Sequence, residues 1–223
     1  PHTDTEWKKL IEQIIASNEG EDQSLYLHIT RGAAPRNHAF PKEVVPTIFI
    51  MSSPLIVASK ELIITGVSAI TANDNRWSRC DIKAISLLPN VLLRQMASDS
   101  DATETLLLRD GFLSEGSASS IFIVRNKILL VPPKSNFTLP GITYDVVLEL
   151  AVKYQMPYEI TEISENDLHS SDEILLASST KEIMPITFLD GKKVGSGKPG
   201  EVFAQLYQLY QNFKISIMRR ESI

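Results

Sequence analysis

ETLLLRDGFLSEGSASSIFIVRNKILLV, residues 104–131, carries the densest run of fold signals in the chain. Glu104–Arg109, Ile121–Arg125 and Ile128–Val131 are short apolar runs of strand length, rich in aliphatic and β-branched residues. Arg109-Asp110-Gly111 and Arg125-Asn126-Lys127 punctuate them, and Asp-Gly and Asn supply the positive φ that tight hairpins require. Such closely spaced hairpins build an antiparallel sheet. Toward the C-terminus the pattern recurs at Tyr158–Ile163, Glu173–Ala177 and Ile183–Leu189, with Asp190-Gly191 as a third hairpin signal. Toward the N-terminus lie strand candidates at Glu61–Ser68 and Thr47–Met51, and from Ser24 a period of two places Leu25, Leu27 and Ile29 on one face.

Helical spacing interrupts the strands. Trp7, Leu10, Ile11, Ile14 and Ile15 form an amphipathic stripe over residues 3–17, preceded by the capping-box pair Thr3 and Glu6. Further helices are expected over Ile85–Ser98, with Pro89 tolerated in the first turn, over Ile142–Tyr154 and over Glu201–Phe213. The fold class is α+β, with a smaller domain over residues 1–68 and a larger one over 69–223.

Composition excludes several classes of function. A chain of 223 residues buries roughly 70% of its unfolded surface, and 43% hydrophobic with 22% charged residues is a globular balance. One cysteine, Cys80, excludes a disulfide scaffold and points to a reducing compartment. The net charge of −5, with no basic block longer than two residues, argues against a nucleic-acid partner. No apolar stretch is long enough to span a bilayer, and the opening PHTDTEWKK has no apolar signal core, so a cytoplasmic protein without a membrane partner is expected. His2, His28, His38, His169 and Cys80 fall in no metal-binding spacing, so no metal is expected. The chain begins at Pro1 and reads as a fragment or a processed form.

Five segments carry candidate chemistry. In RGAAPRNHAF, Arg36 and His38 are two apart, so in an extended segment both face one way and could grip a carboxylate. They could equally be solvated loop residues. Lys83 precedes the apolar Ala84-Ile85-Ser86-Leu87-Leu88, surroundings that favour a neutral, nucleophilic amine and make it a Schiff-base candidate. The plainer reading is a lysine snorkelling into water. Glu115, ahead of Gly116 and a run of small polar residues, is either an acid placed against something that approaches the backbone closely or a turn glutamate. Leu139-Pro140-Gly141-Ile142-Thr143 opens a helix whose free N–H groups, with the Thr143 hydroxyl, can cradle a phosphate. Ser178-Ser179-Thr180 ends a strand in hydroxyls that can hold the other side of the same anion. Each of these two could also be a cap or a polar turn.

In their order along the chain, these segments resemble the fold-type IV (class IV) pyridoxal-phosphate aminotransferases, most closely those acting on D-amino acids. The match runs through residues 25–41, 76–95, 115–122, 139–151, 172–186 and 190–200. The resemblance implies a two-domain fold of that type, pyridoxal 5'-phosphate as cofactor, and a homodimer. It implies that Lys83 carries the cofactor and shuttles the α-proton, that Glu115 holds the pyridine nitrogen, and that Leu139 packs on the ring. Ile142, Thr143, Ser179 and Thr180 would bind the phosphate, and Arg36 and His38 the substrate α-carboxylate. The implied reaction moves the amino group of D-alanine or a similar D-amino acid to 2-oxoglutarate. The alternatives are a branched-chain L-amino-acid aminotransferase or an aminodeoxychorismate lyase of the same fold, or a catalytically silent fragment acting by association. Members of the family usually carry asparagine where this chain has Ser120 and arginine where it has Tyr144. They also carry an N-terminal part of the small domain that is expected to precede Pro1.

Overall fold

The computed structural model describes residues 2–219, and the chain divides into two compact units at the Val57/Ala58 junction. The boundary expected at 68/69 falls inside the second unit, because residues 58–68 pack there. Ala58 and Ile63 join its core, and Thr187 Oγ1 donates to the Thr65 carbonyl at 3.1 Å.

The first unit holds α1 (Asp4–Ala16) and the antiparallel pair β1 (Gln23–Thr30) and β2 (Thr47–Pro54). The capping box forms as expected: Thr3 N donates to Glu6 Oε2 at 2.7 Å, and Glu6 N to Thr3 Oγ1 at 3.4 Å. Between β1 and β2 runs the loop that carries Arg36 and His38. It leaves β1 through Gly32, whose φ of +88° and approach to the Val45 carbonyl, 2.0 Å from where a Cβ would lie, admit only glycine.

The second unit is a nine-stranded mixed sheet in the order β5-β4-β3-β10-β9-β6-β7-β8, with β11 (Lys192–Lys193) paired to β10. Its strands are β3 (Val67–Asn73), β4 (Glu104–Arg109), β5 (Phe112–Gly116), β6 (Ser120–Arg125), β7 (Ile128–Val131), β8 (Tyr158–Ile160), β9 (Glu173–Ser178) and β10 (Glu182–Leu189). The three expected hairpins close with two-residue turns at Asp110-Gly111, Asn126-Lys127 and Asp190-Gly191, all six residues having positive φ.

Both faces of this sheet are covered, which is why its central strands read as unbroken apolar runs. On one face Phe122, Val124, Leu175 and Ala177 meet α4 (Ile142–Lys153) and α6 (Glu201–Phe213). On the other, Ile121, Ile123, Ile174 and Leu176 pack with Leu106, Ile163, Leu168 and Ile186. Glu173, at the head of β9, accepts hydrogen bonds from Val202 N and Phe203 N at 3.0 and 2.8 Å and so caps α6.

One element differs in kind from the sequence reading. The strand expected over Glu61–Ser68 is a helix, α2 (Lys60–Thr65), and β3 begins only at Val67. Ser59 Oγ accepts from Leu62 N, and Gly66, at φ +78°, ends the helix. Caps at both ends outweigh the β-branched Ile63-Ile64-Thr65 run that suggests a strand. The helix expected from Ile85 starts at Leu88, as α3 (Leu88–Asp99), with Pro89 in its first turn.

Candidate active site

Seven of the expected site residues, Lys83, Glu115, Leu139, Ile142, Thr143, Ser179 and Thr180, line one open cavity of about 1070 Å³ in the second unit. Five pieces of backbone supply its walls: the loop before α3, one side of α3 itself, the turn between β5 and β6, the N-terminus of α4, and the β9–β10 turn.

Glu115, the last residue but one of β5, lines this space and is nearly buried, at 7% exposure. Its Oε2 accepts from Leu139 N at 3.0 Å and its Oε1 from Arg76 Nη1 at 2.5 Å. Arg76, which also lines the cavity, binds Asp74 through both Nε and Nη2 at 2.9 Å, with Nη2 also donating to the Phe137 carbonyl at 3.1 Å. Arg109 closes the cluster, 3.1 Å from Asp74 Oδ2 and stacked over the Phe137 ring at 4.3 Å. Two cations and two anions therefore neutralise one another, with only Arg109 partly open to water. Burial pushes the Glu115 carboxyl above the usual carboxylate range, against the pull of Arg76. Burial acts on Asp74 in the same sense, but there the paired hydrogen bonds and charge of Arg76 prevail and hold its carboxyl low.

The two segments expected to cradle an anion both line the cavity. Gly141, the N-cap of α4, offers no side chain to the first N–H groups, which are left open toward the cavity beside the buried Thr143. Facing it from the β9–β10 turn are Ser179 and Thr180. A phosphate ester, a ring with a protonated nitrogen and a carbonyl able to take an amine thus meet a helix N-terminus, a carboxylate and a lysine. The donor set fits pyridoxal 5'-phosphate.

Lys83 has no hydrogen bond or ion pair among the described residues, so its amine is uncommitted. Its surroundings differ from expectation: Ile85, Leu87 and Leu88 are 65%, 49% and 68% exposed, so the apolar stretch does not wrap the amine. The unpaired Nζ in the cavity, and not a local apolar sheath, singles this lysine out.

Arg36 and His38 lie in the first unit, both exposed on the β1–β2 loop. The segment between them is bent, because Asn37 Oδ1 takes the Ala39 N–H at 3.1 Å in an Asx turn. The shared direction expected of an extended segment therefore has no strand geometry behind it. Of the two departures from the family pattern, Ser120 lines the cavity, and a Cβ on Gly141 would lie 3.3 Å from its Oγ. Tyr144 belongs to the core, stacked near Phe122 at 5.6 Å and donating from Oη to the Pro132 carbonyl at 2.9 Å.

Sequence reasoning missed Arg76 and Asp74. Nothing local separates Arg76 from Arg79, three residues on, which is half exposed and pairs with its neighbour Asp81. Only the fold brings Glu115 to the first and not to the second.

The family model for class IV amino-transferases matches residues 1–189. The chain is 36% identical over 214 residues to a D-alanine aminotransferase of Bacillus licheniformis, covering 96% of this chain and 75% of that one. It is 34% identical over 212 residues to a D-alanine aminotransferase of Staphylococcus epidermidis, covering 95% and 75%. Solved structures share the fold. The Escherichia coli branched-chain amino acid aminotransferase superposes with a TM-score of 0.84 at 23% identity, over 95% of this chain and 72% of that one. The Thermobaculum terrenum branched-chain enzyme, in its PLP form, gives 0.77 at 24% identity over 92% and 68%. In sequence and in fold, the chain belongs to the class IV aminotransferases.

Proposed function

We propose that this aminotransferase moves the amino group of a D-amino acid, D-alanine among them, to 2-oxoglutarate, with pyridoxal 5'-phosphate as its cofactor. The observation that carries the reading is the convergence of Lys83, Glu115, the open end of α4 and the Ser179-Thr180 turn on one cavity. The D-alanine aminotransferases that match over most of the chain support the substrate class.

When bound, the cofactor supplies an electron sink for the pair of electrons released as the substrate Cα–H bond breaks. Glu115 holds a proton at the ring nitrogen, with Arg76 and Leu139 N fixing the direction of its carboxylate. Lys83 Nζ anchors the cofactor and carries the α-proton, which requires an amine free of other partners. The α4 N–H groups, Thr143, Ser179 and Thr180 bind the phosphate and prevent the ring from sliding during turnover, while Leu139 packs on its face. Arg36 and His38 recognise the α-carboxylate, and holding that group on one side directs the Cα–H of a single enantiomer at the base. The reading extends to the cytoplasm and to a homodimer; what supports the dimer is the apolar side chains that α3 leaves exposed, Leu92 together with Leu88 and Val91 at the rim of the cavity.

The test is a transamination assay with 2-oxoglutarate and D-alanine, L-alanine or L-leucine in parallel, alongside sedimentation for the dimer. Turnover of D-alanine alone is the expected result. Turnover of L-leucine alone would transfer the assignment to the branched-chain reading.

A further inference from the structure

Behind the cavity wall lies a further buried carboxylate, apart from Glu115 and Asp74, that the reading above leaves unused. Glu104 opens β4, and its side chain has no exposure to solvent. All its partners are donors. Oε1 accepts from Thr105 N at 3.0 Å, from Ser117 N at 3.1 Å and from Ser117 Oγ. Oε2 accepts from Ser119 Oγ at 2.8 Å and from Lys181 Nζ at 3.4 Å. A charge so deep is tolerated only where donors and a counter-charge replace water, and all of these but the neighbouring Thr105 N are drawn from two separate turns.

Both turns wall the cavity, one through Ser117 and Ser119 and the other through Ser179 and Thr180. The first is tight: Gly116 N donates to the Ser119 carbonyl at 2.7 Å, Asn90 Nδ2 to the Ser117 carbonyl at 2.9 Å, and a Cβ on Gly116 would lie 3.2 Å from Glu104 Cδ. The second is held from both ends. Lys181 reaches to Glu104, while Glu182, at φ +55°, has its carboxylate gripped by Gln211 and Lys214 at 2.6 Å.

We propose that Glu104, paired with Lys181, is a positioning residue that fixes the spacing of these two turns and thereby the affinity of the cavity for the phosphate ester of its cofactor. This rests on the cofactor reading given under Proposed function. Hydroxyl donors set in place during folding need no ordering when the phosphate arrives, so their contribution reaches the binding free energy undiminished. Without Glu104 the turns are free to separate, and the loss appears at the phosphate and not at the reacting carbon.

The test compares Glu104→Gln, Lys181→Met and Ser119→Ala with Glu173→Gln, which weakens the α6 cap outside the cavity. Pyridoxal phosphate is titrated into each apoprotein well below its unfolding temperature, followed by quenching of the fluorescence of the two tryptophans, of which Trp77 lines the cavity, and the bound phosphate is observed by 31P NMR. Glu104→Gln is expected to raise the cofactor Kd by about tenfold or more and to shift the phosphorus resonance, with smaller effects in the same direction from Lys181→Met and Ser119→Ala. Glu173→Gln lowers the unfolding temperature and leaves Kd within about twofold. Should Glu104→Gln not fold, the other two cavity variants decide. An unchanged Kd and phosphorus shift in folded cavity variants, or an equal rise in Kd for Glu173→Gln, overturns the proposal. A parent protein that binds no pyridoxal phosphate overturns the functional reading itself, a result distinct from a parent that binds it and cavity variants that match it.

Discussion

Arg76 Nη1 lies 2.5 Å from Glu115 Oε1, and because both side chains are buried the carboxylate that lines the cavity is one half of an ion pair held almost wholly out of solvent. The second partner of Arg76, Asp74, has a side chain wholly out of solvent. Arg76 therefore settles two things at once: where the Glu115 oxygens lie, and how far burial can raise that carboxyl.

Arg76→Met leaves Glu115 and Asp74 buried without their main counter-charge. Breaking a buried pair by removing one partner costs about 3–5 kcal/mol, so the urea midpoint should fall sharply while the m-value holds. Arg76→Lys should recover part of the loss, since the charge returns without the planar fork that binds Asp74 through two nitrogens. Equal stability for the Met variant and the parent would remove the pair from the account.

Asp74 gives the pH dependence its sign. Its folded carboxyl titrates below the ordinary value of about 3.9, so its contribution to stability is complete above that value and disappears as the pH falls through the lower folded one. Glu115, raised on folding, works in the opposite sense: its contribution is greatest below the unfolded carboxyl value and declines as the pH climbs through the folded one. Asp74→Asn should thus be less stable throughout, because Arg76 and Arg109 lose a partner, but with a shallower decline of stability below about pH 4. Thermal unfolding between pH 3 and 6 reads that slope, and a parent-like slope would exclude Asp74 as the titrating group.

Lys83→Ala should abolish covalent attachment of the cofactor. Borohydride reduction of the holoprotein followed by peptide mapping should place the label on Lys83, since Lys134 is engaged with Asp145 at 2.5 Å, Lys181 with Glu104 at 3.4 Å, and Lys60 is not among the residues lining the cavity. A label on Lys60, Lys134 or Lys181 would show the assignment to be wrong.

Arg36→Ala should raise KM for D-amino acids by roughly ten- to a hundredfold, the loss of one charge-assisted contact worth about 1.5–3 kcal/mol, while Lys83 still takes up the cofactor. Steady-state kinetics with D-alanine and 2-oxoglutarate, set beside the absorption spectrum of the variant, separates the two effects. Normal handling of D-alanine by Arg36→Ala would end the role assigned to this loop.

Features governed by a few neighbouring residues were legible along the chain. The hairpin turns, the capping box at Thr3 and Glu6, and strands such as Glu104–Arg109 and Ile128–Val131 follow from turn chemistry and local pattern, and the structure has them where those rules place them. The motifs around Lys83, Glu115, Thr143 and Thr180 were equally visible, and all four residues line one cavity. At Glu61–Ser68 two local signals compete, and strand propensity pointed the wrong way because the Ser59 and Gly66 caps decide that segment.

What only the tertiary structure decided is the pairing of charges across long stretches of chain. Glu115 meets Arg76 over 39 residues, and Glu104 meets Lys181 over 77. The exposure of the apolar stretch beside Lys83 is likewise a property of what packs around it. A strand or a turn is selected by the conformational preferences of adjacent residues, which the sequence states directly. A buried ion pair is selected by low dielectric and by the absence of water, and those conditions exist only after the sheet has closed over the two partners.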